Sequence, residues 1–240
     1  MLEINKVYNE DCMGEKGMCL IADKSIDLVM TDPPYNVSRK SNFHTMGRVG
    51  VGFGDWDKGF DITGWIKLCA DKLKIGGSMV IFNDWKNMGY IRDELESKDV
   101  GMEVKKMIRW EKPNPMPRNR DRLYVDDCEY AIWAVKGKGW VFNRQKDTYD
   151  TGKFTYPIVH HSKRIHKTEK PIGLISDIIK THSNPGDLVL DPFGGSCSMA
   201  ISCLETGRRF IGFEWCPEQP HNQHFDPAQK RIAEYLSKEV

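Results

Sequence analysis

The chain has 240 residues, a net charge of +1, 40% hydrophobic and 29% charged residues, the usage of a globular protein long enough to bury one α/β core. That balance excludes the disordered class, and charge this close to neutral gives by itself no reason to expect a nucleic-acid partner. Seven cysteines at positions 12, 19, 69, 128, 197, 203 and 216 form no C-x-x-C pair, and no apolar run approaches the ~18 residues of a membrane span, so a reduced, cytoplasmic, soluble protein without a membrane partner is expected.

The first strong element is the apolar run Ile26-Asp27-Leu28-Val29-Met30, read as a buried strand that delivers Asp32-Pro33-Pro34-Tyr35 at its carboxyl end. In open α/β sheets, ligands bind in the crevice beyond those strand ends. The loop offers a carboxylate, a proline-fixed turn and a stacking ring there, although turn chemistry alone also favours Asp, Pro and Tyr after a strand. Asn36 to Gly59, rich in Gly, Ser and Arg, is a long loop of the kind that is usually functional or disordered. Ile62, Trp65, Ile66, Cys69 and Leu73 then recur at helical spacing, and strands are predicted over Ser78 to Phe82, Val104 to Trp110 and Glu129 to Val135.

From Lys105 to Arg122 the basic residues Lys105, Lys106, Arg109, Lys112, Arg118, Arg120 and Arg122 face only two acids, Glu111 and Asp121. Prolines at 113, 115 and 117 make that stretch a loop rather than a plain helix face. Asn143 to Lys167 follows the strand-like Trp140-Val141-Phe142 and carries a second cluster, Lys163, Arg164, His166 and Lys167. Clustered Lys and Arg neutralise phosphates in DNA binding; a solvated charged face is the plain alternative for both.

Ile172, Ile175, Ile178 and Ile179 mark a helix that ends at the turn Asn184-Pro185-Gly186. Residues Asp187 to Glu214 then read as turn, strand (Leu188-Val189-Leu190), Gly-rich loop (Asp191-Pro192-Phe193-Gly194-Gly195-Ser196), helix (Met199 to Leu204) and strand (Arg209 to Phe213). This is a nucleotide-type βαβ half, in which glycines permit close backbone approach and an acid about 20 residues on, here Glu214, binds ribose hydroxyls. The spaced G-x-G-x-x-G that holds a pyrophosphate at a helix N-terminus is missing. S-adenosylmethionine suits such a half, since it has a ribose and an amino-acid end but no phosphate, and its methyl group is already electrophilic. Asp226-Pro227 opens a last helix toward Leu236, with Asp as cap and Pro at the first position.

Together the two motifs point to methyl transfer onto a nucleobase amine. The Asp32 carboxylate and the Pro33 carbonyl are suited to accept the two N–H bonds of an exocyclic amine while Tyr35 stacks on the ring. An amine conjugated with its ring is a poor nucleophile, and acceptors out of the ring plane favour the tetrahedral nitrogen of the transition state.

On these residues the chain resembles the DNA amino-methyltransferases, in particular the permuted β group in which Asp-Pro-Pro-Tyr precedes Phe-x-Gly-x-Gly. The resemblance runs through Asn9-Glu10-Asp11-Cys12, Ser25 to Asn36, Leu73 to Ser78, Trp110 to Pro117, Glu129 to Ala134, His166 to Pro171, and Ser183 to Asp187 leading into Asp191-Pro192-Phe193. Asn114 to Tyr124 and Phe53 to Lys58 look closest to small bacterial adenine methyltransferases of the restriction-modification type. The chain departs from the pattern at Cys197, where the family usually has glycine, and that puts the fit of the cofactor's methionine end in question.

The resemblance implies an α/β, Rossmann-like fold dependent on S-adenosylmethionine, with a mostly parallel seven-stranded sheet, helices on both faces and circularly permuted motif order. It implies one catalytic domain over 1–240, with 36–59 as a mobile cover for a flipped base and 143–167 as a short target-recognition segment. The reaction implied is methylation of adenine N6 in double-stranded DNA, Asp rather than Ser at position 32 favouring adenine over cytosine N4. A DNA-binding specificity partner that has lost catalysis, motivated by Cys197, is the reading of a different class. Catalysis would fall to Asp32, Pro33, Pro34 and Tyr35, and cofactor binding to Asp11, Thr168, Lys170, Asp191, Phe193, Gly195, Ser196 and Glu214. DNA contacts would come from Lys112, Arg118, Arg120, Arg122, Lys163 and Arg164. A homodimer and a cognate restriction endonuclease are further candidate partners. No metal is expected, because Cys216, His221 and His224 lack a fourth ligand at zinc-like spacing, and His160-His161, with no nucleophile beside them, read as surface or DNA-contact residues.

Overall fold

The computed structural model of the protein describes residues 2–36, 59–116, 121, 124–160, 162, 164–165, 168–216 and 225–237. The elements in chain order are β1 (Lys6–Tyr8), β2 (Ile26–Thr31), α1 (Ile66–Lys72), β3 (Leu73–Asn83), α2 (Met88–Leu95), β4 (Glu103–Glu111), β5 (Cys128–Val135), β6 (Lys153–Thr155), α3 (Ile172–His182), β7 (Leu188–Asp191), α4 (Ser198–Glu205), β8 (Arg209–Phe213) and α5 (Phe225–Leu236). The strands form a single sheet in the order β1-β8-β7-β2-β3-β5-β4-β6. Pairing is parallel from β1 through β3 and between β4 and β6, and antiparallel where β5 meets β3 and β4. Among the described residues no helix is long and apolar enough to cross a membrane.

Central strands with both faces buried read as near-continuous apolar runs, which is how β2, β3 and β7 look in the sequence. Their side chains alternate between two cores. Val29, Met79, Ile81 and Ile132 pack with Ile66 and Cys69 of α1 and Ile91 and Leu95 of α2. Leu28, Met30, Val80 and Phe82 pack with Leu174 and Ile178 of α3, Met199 and Cys203 of α4, and Ile232 of α5. Burying each such aliphatic or aromatic side chain contributes roughly 1.5–3 kcal/mol, and the two faces together fix the register, since a one-residue slip would exchange the cores.

The six strands expected from patterning are all present. The sheet has eight strands rather than the seven that the resemblance implies, and the two beyond the six patterned ones, β1 and β6, are three residues each and too short for alternation to show. Trp140-Val141-Phe142 is not a strand: Phe142 stacks 5.4 Å from the Trp133 ring, and the Asn143 amide donates to the Thr181 carbonyl at the end of α3. The helix expected from Ile62 to Leu73 begins only at Ile66, because the Asp61 carboxylate caps the Thr63 and Gly64 amides in a turn, and Leu73 already pairs with Ile26 in the sheet.

Strand order sets the position of the site. From β7 the chain crosses through α4 to β8 on one side, whereas from β2 it crosses through α1 to β3 on the other. The crevice between the carboxyl ends of β7 and β2 is therefore a topological switch point, the place where open α/β sheets bind ligands.

Candidate active site

Four acids stand at the carboxyl ends of four adjacent strands: Asp11 just beyond β1, Glu214 after β8, Asp191 ending β7 and Asp32 after β2. The Thr31 hydroxyl donates to Asp191 Oδ1 at 2.7 Å, and so ties the two sides of the crevice together. Asp191 Oδ1 also receives the Phe193 amide at 3.1 Å. Burial nevertheless raises the Asp191 carboxyl to about 7.

Around Asp32 the side chains form a closed ionic cluster. Lys170 Nζ lies 2.5 Å from Asp32 Oδ2, 3.1 Å from Glu129 Oε2 and 3.1 Å from the Tyr35 hydroxyl, so each of its three protons has an acceptor. The Tyr35 hydroxyl donates to Asp32 Oδ1, and Lys112 Nζ sits 2.7 Å from Glu129 Oε1. Burial pushes the Asp32 carboxyl up against the pull of Lys170. Burial acts the same way on Glu129 but is outweighed by Lys170 and Lys112, which hold that carboxyl at about 2. Burial works against the Lys170 charge, yet the two carboxylates raise its affinity for the proton. The cluster is anchored from the end of β3 and the start of α2: the Asn87 side-chain amide donates to the Tyr35 carbonyl and to Asn83 Oδ1, both at 2.7 Å. Asn36, in a left-handed conformation, exchanges two hydrogen bonds with the Phe60 backbone and so holds positions 36 and 60 together beside the site.

On the other side, Gly194 sits against β8, its amide donating to the Phe213 carbonyl at 2.6 Å; a Cβ there would come within 3.1 Å of that oxygen. Gly195 has φ +51 and open space where a Cβ would be, and its amide donates to Glu214 Oε2 at 2.7 Å. Phe193 packs edge-on against Phe60 and Trp65 at 5.3 and 5.1 Å. Cys197, the N-cap of α4, has φ 57 and ψ 28, the left-handed conformation that glycine adopts without strain. Its side chain is buried in the core beneath α3 and α4, and burial pushes the thiol up, so it is a protonated packing group rather than a nucleophile.

Of the residues expected to act, Asp32, Pro33, Pro34 and Tyr35 form the wall of the crevice on the β2 side, and Asp191, Phe193, Gly195, Ser196 and Glu214 the wall on the β7 and β8 side. Asp11 lies at the outer end of the row, its Oδ1 accepting the Met13 amide at 2.9 Å. Thr168 is half-buried two residues before Lys170. Lys170 itself reaches the Asp32 loop, and its carbonyl accepts the Ser198 hydroxyl at 3.0 Å. Lys112 is engaged with Glu129 and is mostly buried, so it belongs to this cluster rather than to an open basic face. The Arg164 Nε donates to the Val159 carbonyl at 2.5 Å. Arg118, Arg120, Arg122, Lys163 and Lys167, the loop at 37–58, and His161, His166, His221 and His224 lie outside the described residues. Sequence reasoning does not mark Glu129 as a site residue. Its only signal is a lone acid at the start of the otherwise apolar β5.

An open α/β sheet with an acidic proline loop and a glycine-rich loop facing each other across its switch point defines a nucleotide-type α/β enzyme. A family profile described as DNA methylase matches residues 26–219, and the chain belongs to this N6/N4 DNA methylase family. It is similar to the type II methyltransferase M1.MboII of Moraxella bovis, 30% identical over 272 aligned residues that cover 94% of this chain and 97% of the relative. It is also 30% identical to the type II methyltransferase M2.DpnII of Streptococcus pneumoniae, covering 87% of this chain and 83% of that one. Among solved structures, the complex of M1.HpyAVI with SAM superposes with a TM-score of 0.69 at 37% identity, covering 87% of this chain and 89% of the other.

Proposed function

We propose that this DNA methyltransferase moves a methyl group from S-adenosylmethionine to the N6 amine of an adenine turned out of double-stranded DNA. The observation that carries this reading is the Thr31 to Asp191 hydrogen bond, which sets the Asp-Pro-Pro-Tyr loop and the glycine-rich loop side by side at one crevice. The donor set fits the cofactor. Glu214, with Oε1 facing a thiol at 3.9 Å, has acceptor capacity for ribose hydroxyls. Gly195 leaves open space at the loop, and buried Asp191 is suited to a cationic ligand group. When bound, S-adenosylmethionine supplies an electrophilic methyl carbon.

The chain's part is to hold the amine. Asp32 and the Pro33 carbonyl accept hydrogen bonds from its two N–H groups, and Tyr35 stacks on the base, so the nitrogen lone pair is freed from the ring to form the N–C bond as the methyl–sulfur bond breaks. The positive charge that develops on the nitrogen is relieved by loss of one N–H proton to solvent. Asp11, Thr168, Phe193 and Ser196 complete the cofactor side, and Arg118, Arg120, Arg122, Lys163 and Arg164 contact the DNA. The segment 36–59 covers the flipped base, and 143–167 reads the target, all within one catalytic domain over 1–240. Asp at position 32 supports adenine over cytosine. A cognate restriction endonuclease is a proposed partner on the strength of the relatives' type II names, and a second copy of the chain on the shortness of the recognition segment.

Incorporation of a labelled methyl group from S-adenosylmethionine into duplex DNA tests the reading. A folded protein that binds the cofactor and labels no DNA would favour a specificity partner without catalysis.

A further inference from the structure

Both oxygens of Asp32 are engaged, Oδ1 by the Tyr35 hydroxyl and Oδ2 by the Lys170 ammonium. A target amine must compete with that ammonium. The competition sharpens during transfer, because a nitrogen gaining positive charge is repelled by a cation close by. Lys170 cannot retreat into water, its side chain being only 5% exposed, and a buried ammonium without a carboxylate partner is strongly disfavoured. Glu129 offers it a second partner. Its Oε2 lies 3.1 Å from the same Nζ, while Lys112 occupies its Oε1 and leaves Oε2 to Lys170. The Tyr35 hydroxyl, 3.1 Å from Nζ and 3.4 Å from Glu129 Oε2, spans the two carboxylates.

We propose that Glu129 is a positioning residue that draws the Lys170 ammonium off Asp32 when the target amine arrives. The inference rests on the amine-transfer reading above. No covalent bond changes: one buried cation exchanges one carboxylate for another, and Asp32 Oδ2 becomes an acceptor for the amine. The ionisable groups facing Lys170 are Asp32 and Tyr35 from the loop after β2 and Glu129 from β5, with Lys112 behind Glu129.

The test is single-turnover methyl transfer to duplex DNA by the whole protein, as wild type, Glu129→Gln and Glu129→Asp, from pH about 6.5 to about 9.5. Glu129→Gln is expected to slow transfer at neutral pH by at least about tenfold while cofactor and DNA dissociation constants stay within about threefold. Its rate should climb with pH more steeply than that of wild type, because the variant lacks one of the two carboxylates that raise the Lys170 affinity for its proton. Burial then drives the ammonium to deprotonate at lower pH than in wild type, and the cation is removed by another route. A merely structural role for Glu129 would not produce that slope. Glu129→Asp keeps the charge and should stay within about tenfold of wild type at every pH. Transfer by Glu129→Gln as fast as wild type, or slowed by one constant factor at all pH values, would overturn the proposal. So would a folded Glu129→Asp that is inactive throughout, which decides the matter if the Gln variant does not fold. A wild-type protein that labels no DNA amine overturns the amine-transfer reading itself, and the wild-type arm alone reveals that.

Discussion

Lys170 Nζ lies 2.5 Å from Asp32 Oδ2, although 138 residues separate them in the chain. The contact joins the segment that leads into α3 to the loop that ends β2, and so closes the crevice on its β2 side. It also makes the cluster asymmetric. Removing Asp32 leaves Lys170 with Glu129 and Tyr35, whereas removing Lys170 leaves two carboxylates facing each other.

Asp32→Ala is therefore expected to fold and to lose methyl transfer. Deleting a preorganised acceptor for the reacting amine should cost at least about 10²-fold in rate, read as single-turnover label transfer, with circular dichroism and the urea midpoint as checks on folding. Near-normal turnover by a folded variant would take Asp32 out of the chemistry.

Glu214→Ala should weaken S-adenosylmethionine binding more than DNA binding. Charge-assisted hydrogen bonds to ribose hydroxyls contribute roughly 1.5–3 kcal/mol, and the variant also leaves the Gly195 amide without its acceptor. Calorimetry on the free protein measures this directly, and unchanged cofactor affinity would put the ribose elsewhere.

Asp191 gives a signed pH effect. Burial raises its carboxyl from 3.8 to about 7, so between those values the folded protein holds a proton that the unfolded chain has released. Stability from this group is present below pH about 4 and is lost as pH rises toward 7, by at most about 1.4 kcal/mol per pH unit. Asp191→Asn lacks the effect, so its unfolding free energy relative to wild type should rise across that window and level off above it. Glu129 acts with the opposite sign: held at about 2 by its two lysines, it contributes stability above its ordinary 4.5 that is lost as pH falls. It is unaltered in the comparison and cancels. A difference that stays constant with pH would mean that Asp191 ionises normally.

Cys197 tests whether the glycine usual in the family is required by the backbone or by the cofactor. A non-glycine residue in the left-handed region costs roughly 1–2 kcal/mol, and the buried side chain returns part of that through packing. Cys197→Gly should change stability by no more than about 1 kcal/mol, and cofactor affinity by less than about threefold, since the side chain lies in the core. Cys197→Val, β-branched at φ 57, should cost about 2 kcal/mol or more. Urea unfolding separates the two, and a tolerated valine would contradict the backbone explanation.

Much of the fold is legible in the sequence because β2, β3, β7 and β8 are buried on both faces and stand out as apolar runs with turn residues after them. The two walls of the crevice are legible for a different reason: Asp32 to Tyr35 and Asp191 to Ser196 are contiguous, so their chemistry reads locally. Glu129 escapes such a reading because its meaning depends on Lys170 and Lys112, which come from other elements. Lys112 reads as a phosphate ligand for the same reason, since a count of charges along a loop does not reveal an internal partner. The short strands β1 and β6 take their place from the neighbours they pair with, β8 and β4, rather than from any pattern of their own.

The most direct test is the identity of the methylated base. Duplex DNA of mixed sequence is incubated with the protein and labelled S-adenosylmethionine, digested to nucleosides and separated by chromatography with mass detection. Label on N6-methyladenine is the predicted result, and a mismatched target adenine should be methylated faster, because less unpairing energy opposes its rotation out of the stack. Label found only on cytosine would contradict the adenine assignment.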